Sequence, residues 1–432
     1  MKKKLKILAL SLLFILTLLL VLPFAFKGKI IELIKQTANN NINATINFES
    51  ADLSLLRSFP QVRLRLHNFY IVTSAPFEED TLAIANQIDL ELPFNSLFKD
   101  ASETLQIKRF KVNFADIRIQ IDSLGNANYN IAKKDDQSEV NLDSKTGSYS
   151  FDLNAYEFTN SSLSYIDHRN NTGIKITDLN HYGTGNLSAE ASVLKTNSEA
   201  LATLELDGVE YLKNHRIELM ADIKINLKEN RYTFLENAAK INELPLVFNG
   251  FVQVNEDDNE LDINFNTPSS DFKNFLALIP KVYSKNIEGV TTTGNFDVNG
   301  TIKGIIDETH IPKLDIVINS NDASFKYPGL AKSLENIRIN SRIMNTTGLS
   351  KDTYIDISAL AFKIDNDEFN ASGQLKDLSN NTKVNAQLKG TIDLSKLEQI
   401  YPAEAFINLQ GVVKADIETA FDMNSIEQKR YE

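Results

Sequence analysis

The sequence predicts a mostly β protein: one N-terminal transmembrane helix followed by an elongated, largely antiparallel, curled β-sheet that forms a groove, with a few short helices. Three observations predict it. An uncharged run from Ile7 to Phe26 follows a lysine-rich tip. Beyond residue 45 the apolar residues recur at every second position, the period of a strand. Clusters of Asn, Asp, Gly and Ser separate these alternating stretches, as turns do.

The N-terminal run is 20 residues long, interrupted only by Ser11, Thr17 and Pro23. That is the length a helix needs to cross roughly 30 Å of hydrocarbon. The exit, Pro23-Phe24-Ala25-Phe26-Lys27, has no small-x-small cleavage pattern, so the run reads as a retained anchor. Lys2, Lys3, Lys4 and Lys6 precede it, against Lys27 and Lys29 close behind, which puts the N-terminus in the cytoplasm. Residues 29–41 read as a short amphipathic helix. Its Ile30, Ile31, Leu33 and Ile34 have two placements, at the bilayer interface or packed against the first strands.

Strand after strand shows one apolar and one polar side. Val62, Leu64 and Leu66 alternate with Arg63, Arg65 and His67. Val112 and Phe114, then Ile117, Ile119 and Ile121, do so on either side of Ala115-Asp116. Ile223, Ile225 and Leu227 follow, then Leu261, Ile263 and Phe265, Leu314, Ile316 and Ile318, and Ile355 and Ile357. Such strands suit antiparallel sheets with one wet face. Ser123-Leu124-Gly125-Asn126, Asn170-Asn171-Thr172-Gly173 and Glu256-Asp257-Asp258-Asn259 supply turns, and Gly183-Thr184-Gly185 reads as another.

The expected organisation is a basic tip and anchor (1–26), an N-terminal β module (27–132), a linker or loop without periodicity (133–148) and an elongated β-groove (149–432). The last contains a duplicated helix–strand unit over 271–299 and 393–419. In it Asp271, Phe272, Phe275, Leu278, Pro280 and Gly289 match Asp393, Leu394, Leu397, Ile400, Pro402 and Gly411 at identical spacing. Each copy reads as an Asp-capped short helix stopped by proline.

Composition bounds the function. The 432 residues are 42% hydrophobic, which supplies a packed body, and carry a net charge of −12, which argues against a nucleic-acid partner. Cysteine is absent, which excludes disulfides and thiolate metal sites. No catalytic constellation converges. His67, His168, His181, His215 and His310 have no metal-ligand spacing, and Asp167-His168 are strand neighbours that point to opposite faces. Each histidine reads as an exposed strand or loop residue. The runs Glu256–Glu260 and Asp365–Glu368 lack the EF-hand pattern and read as solvated turns. No enzyme, cofactor or metal site is expected.

An alternating sheet curled with its apolar side inward would hold an acyl chain out of water. At about 0.8 kcal/mol per CH₂, exposing a chain of about 16 carbons costs on the order of 10 kcal/mol. The candidate floor is Ile117, Ile119, Ile121, Ile223, Ile225, Leu227, Leu314, Ile316, Ile318, Ile355 and Ile357. A filled sandwich core has the same pattern, so a structural or adaptor protein with a packed β core is the alternative.

The N-terminal third also resembles the AsmA family of bacterial envelope proteins. The anchor is followed by Ala51-Asp52-Leu53-Ser54-Leu55-Leu56-Arg57-Ser58-Phe59-Pro60 and the strand Val62–Leu66. Asp80–Ala85, Ile88–Leu92, Ser96-Leu97-Phe98 and the element Ile121–Tyr129 complete the ordered set. Tyr129 stands where the family often has tryptophan. The resemblance implies an inner-membrane anchor, a periplasmic body and a β-groove similar to those of chorein-type bridge-like lipid transporters. It further implies phospholipid movement between the two membranes of a diderm envelope, or support of outer-membrane assembly. The implied partners are membrane lipids and outer-membrane assembly or other envelope proteins. Relatives of this kind are often longer, so the chain reads as a fragment or a short relative.

Overall fold

The computed structural model describes residues 42–131 and 149–428, apart from 56–57, 79, 100–104, 151, 170, 188, 207–208, 256–257, 269, 277–288, 308, 379–380 and 401–408; of the N-terminus it describes residues 10, 17, 26–32, 34–36 and 39. The expected anchor thus lies outside the described residues except for Leu10, Thr17 and Phe26, all three helical. Among the described residues no helix is long and apolar enough to cross a membrane. The expected linker 133–148 also lies outside them.

The chain is mostly β and divides into two compact units, Met1–Glu218 and Leu219–Glu432. Unit 1 contains β1 (Ala44–Asn47), β2 (Ser50–Ser54), β3 (Gln61–Thr73), β4 (Thr81–Pro93), β5 (Leu105–Gln106), β6 (Arg109–Ile121), β7 (Tyr149–Ser150), β8 (Asp152–Asp167), β9 (Thr172–Asn186) and β10 (Ala191–Leu206). β11 (Val209–Asn226) crosses the division. β1 and β2 both pair antiparallel with β3, which pairs with β4, and β4 with β6. β8 pairs antiparallel with β9, and β9 with β10. Between these runs, β6 and β8 pair in parallel, as do the two-residue strands β5 and β7. A parallel pair needs a long crossover, and residues 122–151 provide it. The strands that flank 133–148 are therefore neighbours in one sheet, and the division falls at 218/219 instead.

Unit 2 contains β12 (Arg231–Ile241), β13 (Leu244–Val254), β14 (Asn259–Asn266), β15 (Ser270–Asp271), β16 (Thr291–Ile306), β17 (Lys313–Lys326), β18 (Leu334–Asn345), β19 (Tyr354–Ile364), β20 (Asp367–Lys376), β21 (Lys383–Asp393) and β22 (Val412–Asp422). Apart from the short β15, every strand from β12 to β21 pairs antiparallel with the next. At the two copies of the expected duplicated unit, the α-helix Phe272–Leu276 follows the two-residue β15 and precedes β16, and the 3-10 helix Leu394–Gln399 lies between β21 and β22; residues 277–288 and 401–408 of these copies lie outside the described residues. Gly289 and Gly411, which lead each chain back into the sheet, both have positive φ (78° and 109°). Asp393 caps its helix by accepting from the backbone N–H of Ser395 at 3.1 Å.

Each unit is packed solid where a helix lies on its sheet. In unit 1 the helical residues 26–32 and 34–36 cover β2, β3 and β4, so that Ile30 and Ile34 are buried with Leu55, Val62, Leu64, Leu66 and Leu90. Lys35 fixes this helix from outside, its Nζ 2.8 Å from Asn47 Oδ1 and 4.4 Å from the centre of the Phe48 ring. Ile30 and Ile34 therefore sit in a core, and Ile31 packs against it; Leu33 lies outside the described residues. In unit 2 Phe272 packs with Leu244, Phe296, Ala323 and Ile337.

The strands are not regular throughout. Asn68, Phe114, Asn160 and Asp178 take left-handed φ inside β3, β6, β8 and β9. The register places them side by side: Asn68 and Phe114 flank the pairings of Gln87 and Ala85, and Asn160 lies across from the step between Asn113 and Asp116. Gly294, Asp322 and Asn336 make a second row in β16, β17 and β18. A bulge bends its strand and raises the local twist, so an aligned row bends the sheet along a line. This corrects the alternation expected around Ala115-Asp116. The phase changes at Phe114, which is 56% exposed, while Ala115 takes the buried position. Gly183-Thr184-Gly185 is likewise part of β9 and not a turn.

The left-handed residues make a specific prediction. Asn336, at φ 50°, tolerates that conformation, whereas a β-branched side chain there costs about 1–2 kcal/mol. Asn336→Val should lower the unfolding free energy of the detergent-solubilised chain, read by urea titration, by that amount, and Asn336→Gly should leave it nearly unchanged.

Candidate functional site

Strand pairing decides which side chains share a face, because residues opposite one another point the same way. Followed across unit 2, the register joins Phe265, Gly300, Ile316, Ile343, Ile355, Leu375, Val384 and Phe421 into one row that crosses β14 and every strand from β16 to β22. Leu314 lies on the same face beside Ile302 and Ile263. Ile318 is opposite Val298 on one side and Ser341 on the other, and Ser341 is opposite Ile357. Five of the sequence candidates, Leu314, Ile316, Ile318, Ile355 and Ile357, thus come together on one apolar face. All five are half-buried. Neither sealed in a core nor fully wet, they present an open apolar surface.

Unit 1 carries a comparable face on its later strands. Ile117 lies between Ala83 and Leu163, which continues to Ile176 and Ala202. Ile119 leads to Tyr165, Ile174 and Leu204. Ile121 is opposite Asp167. These three isoleucines are half-buried as well. The β11 candidates fare differently. Ile223 is half-buried and Ile225 is buried, but Leu227 lies past the strand end in the turn 227–230 and is exposed. The apolar alternation stops before it.

The opposite faces are laced with cross-strand ion pairs. In unit 1 Arg65 holds Asp89 with two bonds of 2.8 and 3.2 Å, and Glu91 takes Arg63 at 3.3 Å and Arg109 at 3.2 Å. In unit 2 Lys303 pairs with Asp262 at 2.5 Å and Lys389 with Asp416 at 3.1 Å. Arg342 grips Asp315 at 2.7 and 2.6 Å, and this guanidinium holds the Asp315 carboxyl below the usual range. A shallow cleft over β19 to β22 belongs mainly to this polar side, with Asp356, Gln374, Asn385, Gln387 and Glu418 in its lining. Polar residues Arg63, Lys224 and Asp356 therefore mark the side away from the apolar rows.

Two close aromatic–glycine contacts shape the apolar faces. Tyr156 lies over Gly183 and Phe265 over Gly300, each from the neighbouring strand. A Cβ at Gly183 would sit 2.2 Å from the Tyr156 ring, and one at Gly300 would sit 2.3 Å from the Phe265 ring. A side chain at either place would have to displace the far end of the facing ring, which occupies the volume above the glycine. His181 belongs to the same face of unit 1. It is opposite Phe158, its ring centre is 5.4 Å from that of Tyr156, and its Nδ1 is 2.8 Å from Ser198 Oγ. Burial lowers its pKa. It is thus not the exposed strand residue that the sequence suggests. The signal in the sequence was its place two residues before Gly183, on the same side of β9.

The remaining titratable clusters serve the fold. Asp365 and Asp367, in one of the acidic runs, are paired with Lys332 and with Lys396, whose Nζ is 2.5 Å from Asp367. They fasten the 3-10 helix Leu394–Gln399 to the β19–β20 turn. His67 is 3.2 Å from Asp52, and His310 is 2.9 Å from Asp307 in the turn between β16 and β17. Among the described residues no group of three or more His, Asp and Glu is placed to hold a metal ion.

Two tests follow from this geometry. Gly300→Val should cost about 1–3 kcal/mol in urea unfolding by overpacking against Phe265, and the double variant with Phe265→Ala should recover part of the loss. For His181, whose folded pKa is lowered, both states are neutral well above the ordinary value of 6.5. As pH falls through that value the unfolded chain binds a proton that the folded chain resists, so stability drops until the lowered folded pKa is passed. Between about pH 7.5 and 5.5 the wild-type melting temperature should fall further than that of His181→Gln. Asp315 leaves this window undisturbed, because its change lies below 3.8.

Comparison with known proteins gives one match. Residues 1–207 match the model of the AsmA family, a range that takes in the apolar N-terminus and every strand from β1 to β10. No curated protein and no solved structure matches the chain. The ordered elements of unit 1, from the helical residues behind the apolar run to the alternating strands they cover, are those of the matched range, and over residues 1–207 the chain is similar to the AsmA family.

Proposed function

We propose that the chain is an inner-membrane-anchored lipid-binding protein whose body stands in the periplasm. On this reading its apolar faces take the acyl chains of phospholipid, in support of phospholipid movement to, or assembly of, the outer membrane. The observation that carries the reading is the row from Phe265 to Phe421: eight strands in register, seven of them contributing a half-exposed apolar side chain and β16 contributing Gly300 beneath the Phe265 ring, with ion-paired residues on the reverse. Each methylene that leaves water for such a surface gains about 0.8 kcal/mol. A bound chain gains nothing from catalysis and needs none; length, sidedness and an accessible surface suffice. The AsmA match supports the envelope part of the reading.

A second reading, a structural or adaptor protein with a filled β core that organises outer-membrane assembly, has one specific observation in its favour. The face of β2, β3 and β4 is fully packed beneath the N-terminal helix. The two readings differ over the later strands. A photo-crosslinking residue in place of Ile316 or Ile355 should capture phospholipid from membranes, whereas one in place of Arg342 or Asp356 should not. Equal capture on both sides would discard lipid binding by a face. Ile225→Asp, at a buried position, should unfold the chain, since an unpaired buried charge costs several kcal/mol. Ile316→Asp, at a half-exposed one, should keep the far-ultraviolet circular dichroism and lose lipid.

A further inference from the structure

One end of unit 1 carries an aromatic cluster that continues outward from the core: Phe26 and Phe94 pack against the buried residues, and Phe98 lies beyond them. Phe26 meets Phe98 edge-on with ring centres 5.4 Å apart, and Phe98 meets Phe94 at 5.7 Å. Phe94 and Phe98 belong to the 3-10 helix Phe94–Phe98 that follows β4. Phe98 nevertheless remains 55% exposed, and Phe59, in the turn before β3, is 61% exposed. Gln61 lies opposite Pro93, so this turn and the 3-10 helix leave the same end of the β3–β4 ladder.

Of the helical residues 26–32, Phe26 lies at that same end. Lys27 Nζ is 3.4 Å from Asp52, which is opposite Arg65, while Lys35 is bonded to Asn47, which is opposite Tyr70. Traced backwards, the helix runs toward Gln61 and the phenylalanines. Phe26 is also the last residue of the apolar run that begins at Ile7. A span that ends at Phe26 leaves Phe98 one ring contact from the bilayer surface. Three basic residues, Lys27, Lys29 and Lys99, lie in the flanking segments.

We propose that this end of unit 1 is a foot seated on the membrane. Phe59 and Phe98 enter the headgroup layer of the bilayer that holds the anchor, with Phe94 backing Phe98 from the core side, and Lys27, Lys29 and Lys99 border its anionic lipids. Large apolar side chains bordered by lysine suit that boundary, which takes up apolar surface and attracts positive charge. The inference rests on the anchor reading of residues 7–26. It adds that the folded body itself touches lipid and is held at a fixed orientation by that contact.

The absence of cysteine makes a direct test available. Single variants Phe59→Cys, Phe98→Cys, Lys99→Cys, Leu124→Cys and Leu16→Cys of the full chain would be labelled with a nitrobenzoxadiazole fluorophore. They would then be placed in phosphatidylethanolamine–phosphatidylglycerol vesicles containing lipids spin-labelled near the headgroup or deep in the chains. Leu124, in the turn at the far end of β6, is the exposed control. Headgroup-level quenchers should reduce emission at positions 59, 98 and 99 at least twofold and leave 124 unchanged, and deep quenchers should act on 16. Quenching at 16 with none at 59, 98 and 99 overturns the foot, keeps the anchor, and assigns the aromatic end to a protein partner. No quenching at 16 overturns the anchor reading itself. Circular dichroism of each variant confirms that the comparison is between folded chains.

Discussion

A β-sheet with one apolar face has to cover that face or present it, and this choice governs the rest of the structure. Two-layer packing is the usual solution. Here it is applied only locally. Residues 26–32 and 34–36 close over β2, β3 and β4, and Phe272 with its short helix closes over part of β16, β17 and β18. Elsewhere the apolar rows stay half-exposed while the reverse side is tied by charged pairs. Hydrogen bonding along the ladders keeps the strands in place without a second layer, and the helices supply enough sealed core to hold each unit together.

The bulge rows act on the same sheets. A flat sheet with an uncovered apolar side would be free to stack on another. Left-handed residues lined up across β3, β6, β8 and β9, and across β16, β17 and β18, concentrate the bending along lines. Asparagine, aspartate and glycine fill most of these positions because their side chains tolerate the conformation. Phe114 is the exception. It takes the same left-handed conformation, and its ring is exposed.

Much of this was legible in the sequence. A period of two reports which residues share a face, and Leu314, Ile316, Ile318, Ile355 and Ile357 do share one. The chain turns at 123–126, and the strands on either side of 170–173 and of 256–259 pair antiparallel, as turns there require. What periodicity does not carry is which strand lies beside which. The parallel pairing of β6 and β8 joins residues 46 apart through a crossover, and no local pattern encodes that distance. Nor does alternation distinguish a covered position from an open one: Val62 and Ile316 look alike in sequence, and only the helix above the first separates them. The aromatic–glycine pairs were missed for a related reason. Gly183 lies in a strand because Tyr156 fills the space above it, a fact that belongs to the neighbouring strand and not to residues 183–185. His181 followed the same logic, with an aromatic wall supplied from β8.

From β16 onward each strand is bonded to the strand that follows it in the chain. Contacts therefore close over the length of a hairpin, which is short for an all-β protein and favours fast assembly. Such a ladder can grow during synthesis one hairpin at a time, each new pair docking on an edge already formed. The same connectivity makes its reach an inheritable variable: inserting or deleting a hairpin lengthens or shortens the surface by two strands and leaves every other register intact.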